Sequence, residues 1–464
     1  MKREDREKIL GNTESVCPVC LKRIPAHRVA VDDDVFLDKT CLEHGHFRTI
    51  IWRGTPSYAS WYVPKLPSQP PVCATTADKG CPFDCGLCPE HRQQSCCVLL
   101  EVTQRCNLLC PVCFASSQRA DRDPDLKAIE EWYRMLLDAG GPYNIQLSGG
   151  EPTVRDDLPE IVSLGRSLGF DFIQLNTNGL RLADDPAYVR RLKDAGLSCV
   201  FLQFDGTNDA IYETIRGAAL LDKKKAAIAR CAEEHLGVVL VPTLMPGINA
   251  ENIGSIISFA INSMPAVRGV HFQPISYFGR YPLSPSDESR ITIPEVIRSI
   301  ERQTDGLMKA ENFRPPQAEN AYCSFNGNFV LMPDGALKTW TKEKQAGCCG
   351  PQTAALGARK AQRFVAQRWA ASGDRTESAV ASKTTSCCGT PNVASLDAFL
   401  DRVDRYSLCV SGMAFQDAWN LDLERLRECF IHVVSPDNRV IPFCAYNLTD
   451  KQGKSLYRGR QRCE

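Results

Sequence analysis

The chain has 464 residues, 43% of them hydrophobic and 24% charged, with 55 basic against 55 acidic side chains. A net charge of zero argues against a nucleic-acid partner gripped by bulk electrostatics, and no apolar run reaches the ~18–20 residues that span a bilayer. The charged opening Met1–Leu10 lacks the apolar core of an export signal. The expected location is therefore cytoplasmic, with peripheral contact at a membrane surface left open.

Twenty-three cysteines are the outlier. An odd number in short-spaced groups points to metal ligation rather than a disulfide framework. The first group lies in a knuckle over residues 12–50. Cys17 and Cys20 precede a short β-like stretch, Arg28 to Leu37, and Cys41 and His44 follow it. Two such pairs about twenty residues apart make a tetrahedral site for zinc or a mononuclear iron, structural because four protein ligands leave no open position. Residues 51–97 form a linker with four prolines between Pro64 and Pro71. It ends in a C-x3-C-x2-C loop, Cys81, Cys85 and Cys88, with Cys96 the expected fourth ligand of a cluster and Cys97 and Cys73 its competitors.

Residues 98–280 alternate strand and helix. Candidate strands are 98–103, 144–148, 172–176, 199–204, 238–243 and 269–275, and candidate helices cover 125–139, 158–168, 186–195, 222–235 and 252–264. Helices of that length between short apolar strands predict an α/β fold with a parallel sheet. A flavodoxin-like open sheet would give a similar alternation. Cys199 and Cys231 fall in apolar patterns and read as core packing.

After the first of these strands comes a second C-x3-C-x2-C loop, Cys106, Cys110 and Cys113. Three thiolates can hold three irons of a [4Fe–4S] cube and leave the fourth open, as catalytic metal sites keep a vacant position. Gly149, Gly150 and Glu151 follow the second strand. They form a turn that permits close backbone approach and a carboxylate suited to an amino group beside the open iron. Ligands in parallel α/β folds collect at strand carboxyl ends, which singles out Asn176, Thr177, Asn178, Gln203, Asp205 and Gln273.

Residues 281–464 are less regular. Strand-like pieces at 327–332 and 430–434 are each followed by a Pro-Asp turn, and 353–383 reads as helical or mobile. The adjacent pairs Cys348/Cys349 and Cys387/Cys388 bracket that stretch and are candidates for a soft metal or metalloid. Cys409, Cys429 and Cys444, together with Cys323, are candidates for a third cube. Between Cys409 and Cys429, Phe415–Leu426 reads as a helix packed through Leu421, Leu423 and Leu426.

The cysteine loop followed by Gly149-Gly150-Glu151 resembles the radical S-adenosylmethionine (SAM) superfamily. That resemblance implies a partial (β/α)6 barrel in which one [4Fe–4S] cluster on Cys106, Cys110 and Cys113 reduces SAM to release a 5′-deoxyadenosyl radical. It implies that Phe114 stacks near the adenine and that Arg216 forks onto the SAM carboxylate, while the strand-end rule expects Asn176, Thr177 and Asn178 to meet the ribose. The order of parts, from knuckle to Gly80–His91, the Cys106 loop and Pro436–Asn447, resembles the tetraether lipid synthase group. Some of its members are labelled 6-hydroxymethyl-dihydropterin methyltransferases. The resemblance implies one or two auxiliary clusters, a ferredoxin or flavodoxin as electron donor, and C–C bond formation on lipid chains. The competing expectations are a methyl or alkyl transfer to a pterin or small, even metalloid, acceptor, and a non-catalytic iron–sulfur sensor.

Overall fold

The computed structural model describes residues 7–117, 123–281, 285–341, 351–370 and 393–458, without the side chains of 393–398. Cys348, Cys349, Cys387, Cys388 and Cys463 lie outside the described residues.

The N-terminal knuckle is a four-stranded antiparallel sheet, β1 (Glu7–Val16), β2 (Arg23–Val31), β3 (Asp34–Cys41) and β4 (Gly45–Arg53), paired in sequence order. The single β-like stretch expected over Arg28–Leu37 is in fact two strands. Asp32 and Asp33 turn the chain between them, with Asp32 at φ 53°, a conformation Asp tolerates and a two-residue hairpin requires.

All six expected barrel strands form: β5 (Cys97–Thr103), β6 (Asn144–Gly149), β7 (Ile173–Thr177), β8 (Cys199–Gln203), β9 (Gly237–Val241) and, past the two-residue β10 (Thr243–Leu244), β11 (Val267–Pro274). They pair in parallel in that order. The five expected helices also form, as Leu126–Asp138, Leu158–Ser167, Pro186–Asp194, Leu221–Glu233 and Ile253–Asn262. Leu126–Asp138 shows why. Asp125 caps it by accepting from Ala128 N at 2.8 Å, and Ile129, Trp132, Tyr133 and Leu136 bury one face at helical spacing. On β5, Val98, Leu100 and Val102 are fully buried against the helices, so the alternate residues Cys97, Leu99 and Glu101 take the inner face.

The C-terminal region is not a separate layer. Its strands β12 (Ser324–Leu331), β13 (Leu337–Thr339), β14 (Ser407–Met413), β15 (Ile431–Val434) and β16 (Val440–Pro442) extend the barrel sheet at both edges. Strand β14 runs parallel beside β11, and β15 runs parallel beside β5. The helix Ala354–Trp369 packs on the inner face, where Phe364, Val365 and Trp369 meet Phe172, Cys199, Phe201, Val239 and Cys409. Cys199 and Cys231 are both buried core residues, as expected. Phe415–Leu426 is helical only from Leu423 onward. Asp417, bonded to Arg290 and to the Tyr277 and Trp419 amides, holds the preceding turns in non-helical form, although Leu421, Leu423 and Leu426 are buried as expected. Among the described residues, no helix is long and apolar enough to cross a membrane.

Candidate active site and metal centres

The Cys106–Cys113 loop leaves the carboxyl end of β5 and is fastened from several sides. Gly150 N donates to Thr103 O and Glu151 N to Arg105 O, each at 2.8 Å. A Cβ on Gly149 would stand 2.0 Å from Thr103 O, and one on Gly150 would stand 2.1 Å from Arg105 O. The two glycines therefore let the turn after β6 lie directly on the cysteine loop. On the other side, Cys113 and Arg280 exchange backbone bonds at 2.9 Å, and Arg280 Nε donates to Cys110 O at 2.8 Å. Arg458 stands by Cys113 and pairs with Glu101, which also accepts from Tyr446 and Gln104.

Burial raises the Cys106 thiol to about 11, and burial also raises Cys110, with Arg216 opposing it. Both thiols therefore need added positive charge to ionise, which a bound iron cluster provides. The donor set of three neighbouring thiols fits a cluster with one open iron. Glu151 is 1% exposed and accepts from Thr153 N, Thr153 Oγ1, Thr177 Oγ1 and Asn178 N. Three of those bonds fall on Oε1, leaving lone-pair capacity on Oε2 for one further donor. Phe114 lies beside Phe443, ring centroids 5.8 Å apart. Asn178 Nδ2 donates to Asn107 in the loop at 2.7 Å, and Asn176 lines the cavity behind it.

Arg216 and Asp205 form an ion pair. Arg216 Nε and Nη2 close on the two Asp205 oxygens at 2.7 and 2.8 Å, with Asp205 fully buried. The guanidinium fork pairs with Asp205, and Arg216 also lines the cavity. The remaining Nη1 donates to Val112 O at 3.3 Å, so the ion pair braces the cysteine loop from beneath. Sequence gave no sign of this, because strand-end Asp and helix-end Arg become partners only when β8 and the helix Asp209–Arg216 fold back together.

In the knuckle, the ligand atoms of Cys17, Cys20, Cys41 and His44 all lie within 4.8 Å of one another. That matches one tetrahedral ion with bonds of about 2.0–2.3 Å. Hydrogen bonds from the Glu43 backbone and the His44 ring lower the Cys41 thiol to about 6, while burial raises Cys17 to about 11. Among the described residues this is the one group so compact.

Cys81, Cys85 and Cys88 are buried and influence one another, and Tyr457 OH ties Cys85 N to Pro82 O. Cys96 does not join them. Its electrostatic neighbours are Cys97 and Glu319, because its backbone is committed to the start of β5, bonded to Phe430 O and Asn144 N. Cys409 likewise does not join Cys429 and Cys444: it sits on β14 against Trp369, Phe201 and Cys199. The residue that does join them is Cys323, which interacts with both and accepts from Arg425 Nη2 at 3.5 Å.

Behind the Cys106 loop lies a cavity of about 710 Å³. It reaches from Cys106, Cys110 and Cys113 along the inner face of the barrel to Cys97 and Cys409. Its barrel wall carries Gln146, Gln174, Asn176, Phe201, Gln203 and Gln273, and the helix Ala354–Trp369 brings Phe364 and Trp369 to it. His271, Gln146 and Gln174 were not anticipated, yet polar residues at every second position of otherwise apolar strands (146/148, 174/176, 271/273) were the available signal.

Comparison with known proteins places these parts. The radical SAM superfamily model matches residues 100–260, and the HMPTM N-terminal zinc ribbon model matches residues 9–53. The 7,8-dihydro-6-hydroxymethylpterin dimethyltransferase of Methanocaldococcus jannaschii is 34% identical, across 95% of this chain and 94% of its own. A probable GTP 3′,8-cyclase of Methanothermobacter marburgensis is 34% identical across 36% of this chain and 55% of its own. Among solved structures, Streptococcus suis SuiB superposes with a TM-score of 0.39 at 17% identity, over 46% of each chain. The chain belongs to the radical SAM superfamily and, within it, to the family of the M. jannaschii protein.

Proposed function

We propose that this radical SAM enzyme transfers a methyl or other alkyl group to a small, flat, hydrogen-bonding acceptor, in preference to joining lipid chains. The observation that carries the reading is the row of carboxamides, Gln146, Gln174, Asn176, Gln203 and Gln273, along the cavity wall. Gln146 and Gln174 bond each other and Gln203 accepts from Arg216. An alkyl chain laid there would still leave the remaining NH2 and C=O groups of the row without partners, at about 1–3 kcal/mol each, whereas a polar ring would satisfy them. The volume, about 710 Å³, falls within the roughly 300–1,000 Å³ of small-molecule sites. The M. jannaschii relative is named for a pterin acceptor, which agrees in chemical class.

When bound, a [4Fe–4S] cluster would supply the electron for reductive cleavage of one SAM and hence the hydrogen-abstracting chemistry, and a second SAM would give up its methyl group and leave as S-adenosylhomocysteine. The chain's own residues prepare that event. Cys106, Cys110 and Cys113 hold the cluster, and Glu151 Oε2 offers the remaining acceptor to the SAM ammonium. Asn176 meets the ribose, Phe114 and Phe443 wall the adenine, and the Asp205–Arg216 pair keeps the loop in place. The Cys81/Cys85/Cys88 and Cys323/Cys429/Cys444 groups hold auxiliary clusters, and a ferredoxin- or flavodoxin-type donor supplies electrons. A non-catalytic sensor has no use for so large a cavity behind an open cluster.

The test is anaerobic reconstitution of the full chain, then SAM cleavage under dithionite with 7,8-dihydro-6-hydroxymethylpterin or with an archaeal-type isoprenoid lipid. Pterin-dependent stimulation of 5′-deoxyadenosine release, with mass gain on the pterin, is the expected result. Product formed only on the lipid would refute the proposal.

A further inference from the structure

Deeper in the barrel than the SAM-binding residues, a second constellation has no role in the chemistry above. His271 on β11 is hydrogen-bonded through Nδ1 to Ser411 Oγ on β14 at 2.9 Å, the two being register partners. Its Nε2 has no partner among the described residues, yet it is not sealed off. The residue lines the cavity, so that nitrogen is open to whatever occupies it. Burial lowers the imidazole to about 4, which leaves the ring neutral near pH 7, with one nitrogen a donor and the other an acceptor.

Two aromatic rings stand beside it. Phe201 lies 5.6 Å and Trp369 6.3 Å from the His271 ring, and the two lie 5.0 Å from each other at 36°. On β7, which pairs with the Phe201 strand β8, and on β6 beside it, Gln174 Nε2 donates to Gln146 Oε1 at 2.9 Å, again between register partners. Whichever way these two amides are turned, the pair keeps one free NH2 and one free C=O side by side. That is the complement of a cyclic lactam, which presents one carbonyl and one N–H on one edge.

We infer that this half of the cavity is a subsite for a fused-ring lactam of the pterin or guanine type. Phe201 and Trp369 cover a ring face, the Gln146–Gln174 pair takes the lactam edge, and His271 Nε2 bonds a ring nitrogen. His271 is a positioning residue, turned by Ser411 so that one nitrogen faces the ligand. The helix Ala354–Trp369 is then part of the recognition site, because it carries the indole across the barrel interior. The inference rests on the small-acceptor reading of the cavity and specifies how the acceptor is held.

The experiment uses the full chain, reconstituted anaerobically and saturated with SAM, with 6-hydroxymethylpterin and guanosine as probes. Binding is followed by quenching of pterin fluorescence or by equilibrium dialysis, with iron content and SAM affinity as controls of folding. Trp369→Leu is expected to weaken pterin binding about tenfold, as the loss of an aromatic stack does. His271→Asn keeps a group able to bond Ser411 but loses the cavity-facing nitrogen, and should also weaken binding about tenfold. His271→Gln, whose amide reaches the Nε2 position, should restore most of it, which a merely structural histidine would not allow. Wild-type pterin binding with no loss in Trp369→Leu and His271→Asn would overturn the subsite and leave the small-acceptor reading standing. Wild type that binds neither ring would overturn both.

Discussion

Replacing Asp205 by Asn strands a buried guanidinium. In the native chain, Arg216 makes two charge-assisted bonds of 2.7 and 2.8 Å to Asp205, and the two side chains are 6% and 0% exposed. Solvent screening is therefore slight, and removing one partner of such a pair costs about 3–5 kcal/mol. That is a large part of a typical folding margin of about 5–15 kcal/mol. The local effect reaches the cluster, because Arg216 also donates to Val112 O and stands against Cys110. Urea unfolding of the cluster-free chain should show a clearly lowered midpoint, and iron taken up on reconstitution should fall. The double replacement Asp205→Leu with Arg216→Met removes both charges and should recover most of the lost stability, since a buried pair exchanged for apolar groups is close to neutral. The reasoning fails if Asp205→Asn keeps the wild-type midpoint and iron content while Arg216→Lys alone loses SAM affinity. That pattern would return Arg216 to the ligand.

Cys323→Ala should lower the iron bound per chain, whereas Cys409→Ala should leave it unchanged; iron and sulfide analysis after anaerobic reconstitution decides between Cys323 and Cys409. Gly149→Ala places a methyl 2.0 Å from Thr103 O at a residue with φ +126°, so the turn must shift off the cysteine loop; iron uptake and SAM affinity should both collapse, and a variant that retains both refutes the close approach. His91 is buried, and burial lowers its ring to about 4 against an ordinary 6.5. The unfolded chain therefore binds the proton first, and stability present above pH 6.5 is lost as pH falls toward 4, by about 3 kcal/mol. His91→Gln should make that acid limb shallower in urea titrations between pH 7 and 4, the remainder coming from His271 and His432, which burial also lowers.

The barrel was legible because its strands and helices differ in period and length. Val98, Leu100 and Val102 alternate on β5, while Ile129, Trp132, Tyr133 and Leu136 recur at helical spacing. The cysteine loop and Gly149-Gly150-Glu151 were legible because ligands of one loop must be close in sequence. The same holds for Cys17, Cys20, Cys41 and His44, which a short hairpin brings together. The C-terminal strands could not be placed in this way. Strand β14 joins β11 from more than 130 positions away, and nothing in a local pattern names a partner at that distance.

The sequence by itself determined the chemistry on offer: three thiols in one loop, a glycine turn with a carboxylate, a tetrahedral ribbon and a run of α/β units. Each depends on neighbours along the chain. Only the tertiary structure decided which distant groups meet. It closed Arg216 on Asp205, kept Cys323 with Cys429 and Cys444 while setting Cys409 apart, and set His271, Trp369 and the Gln146–Gln174 pair around one cavity. Those choices follow from strand order and from the helix laid inside the sheet, where burial makes an unpaired polar group costly and so fixes its partner.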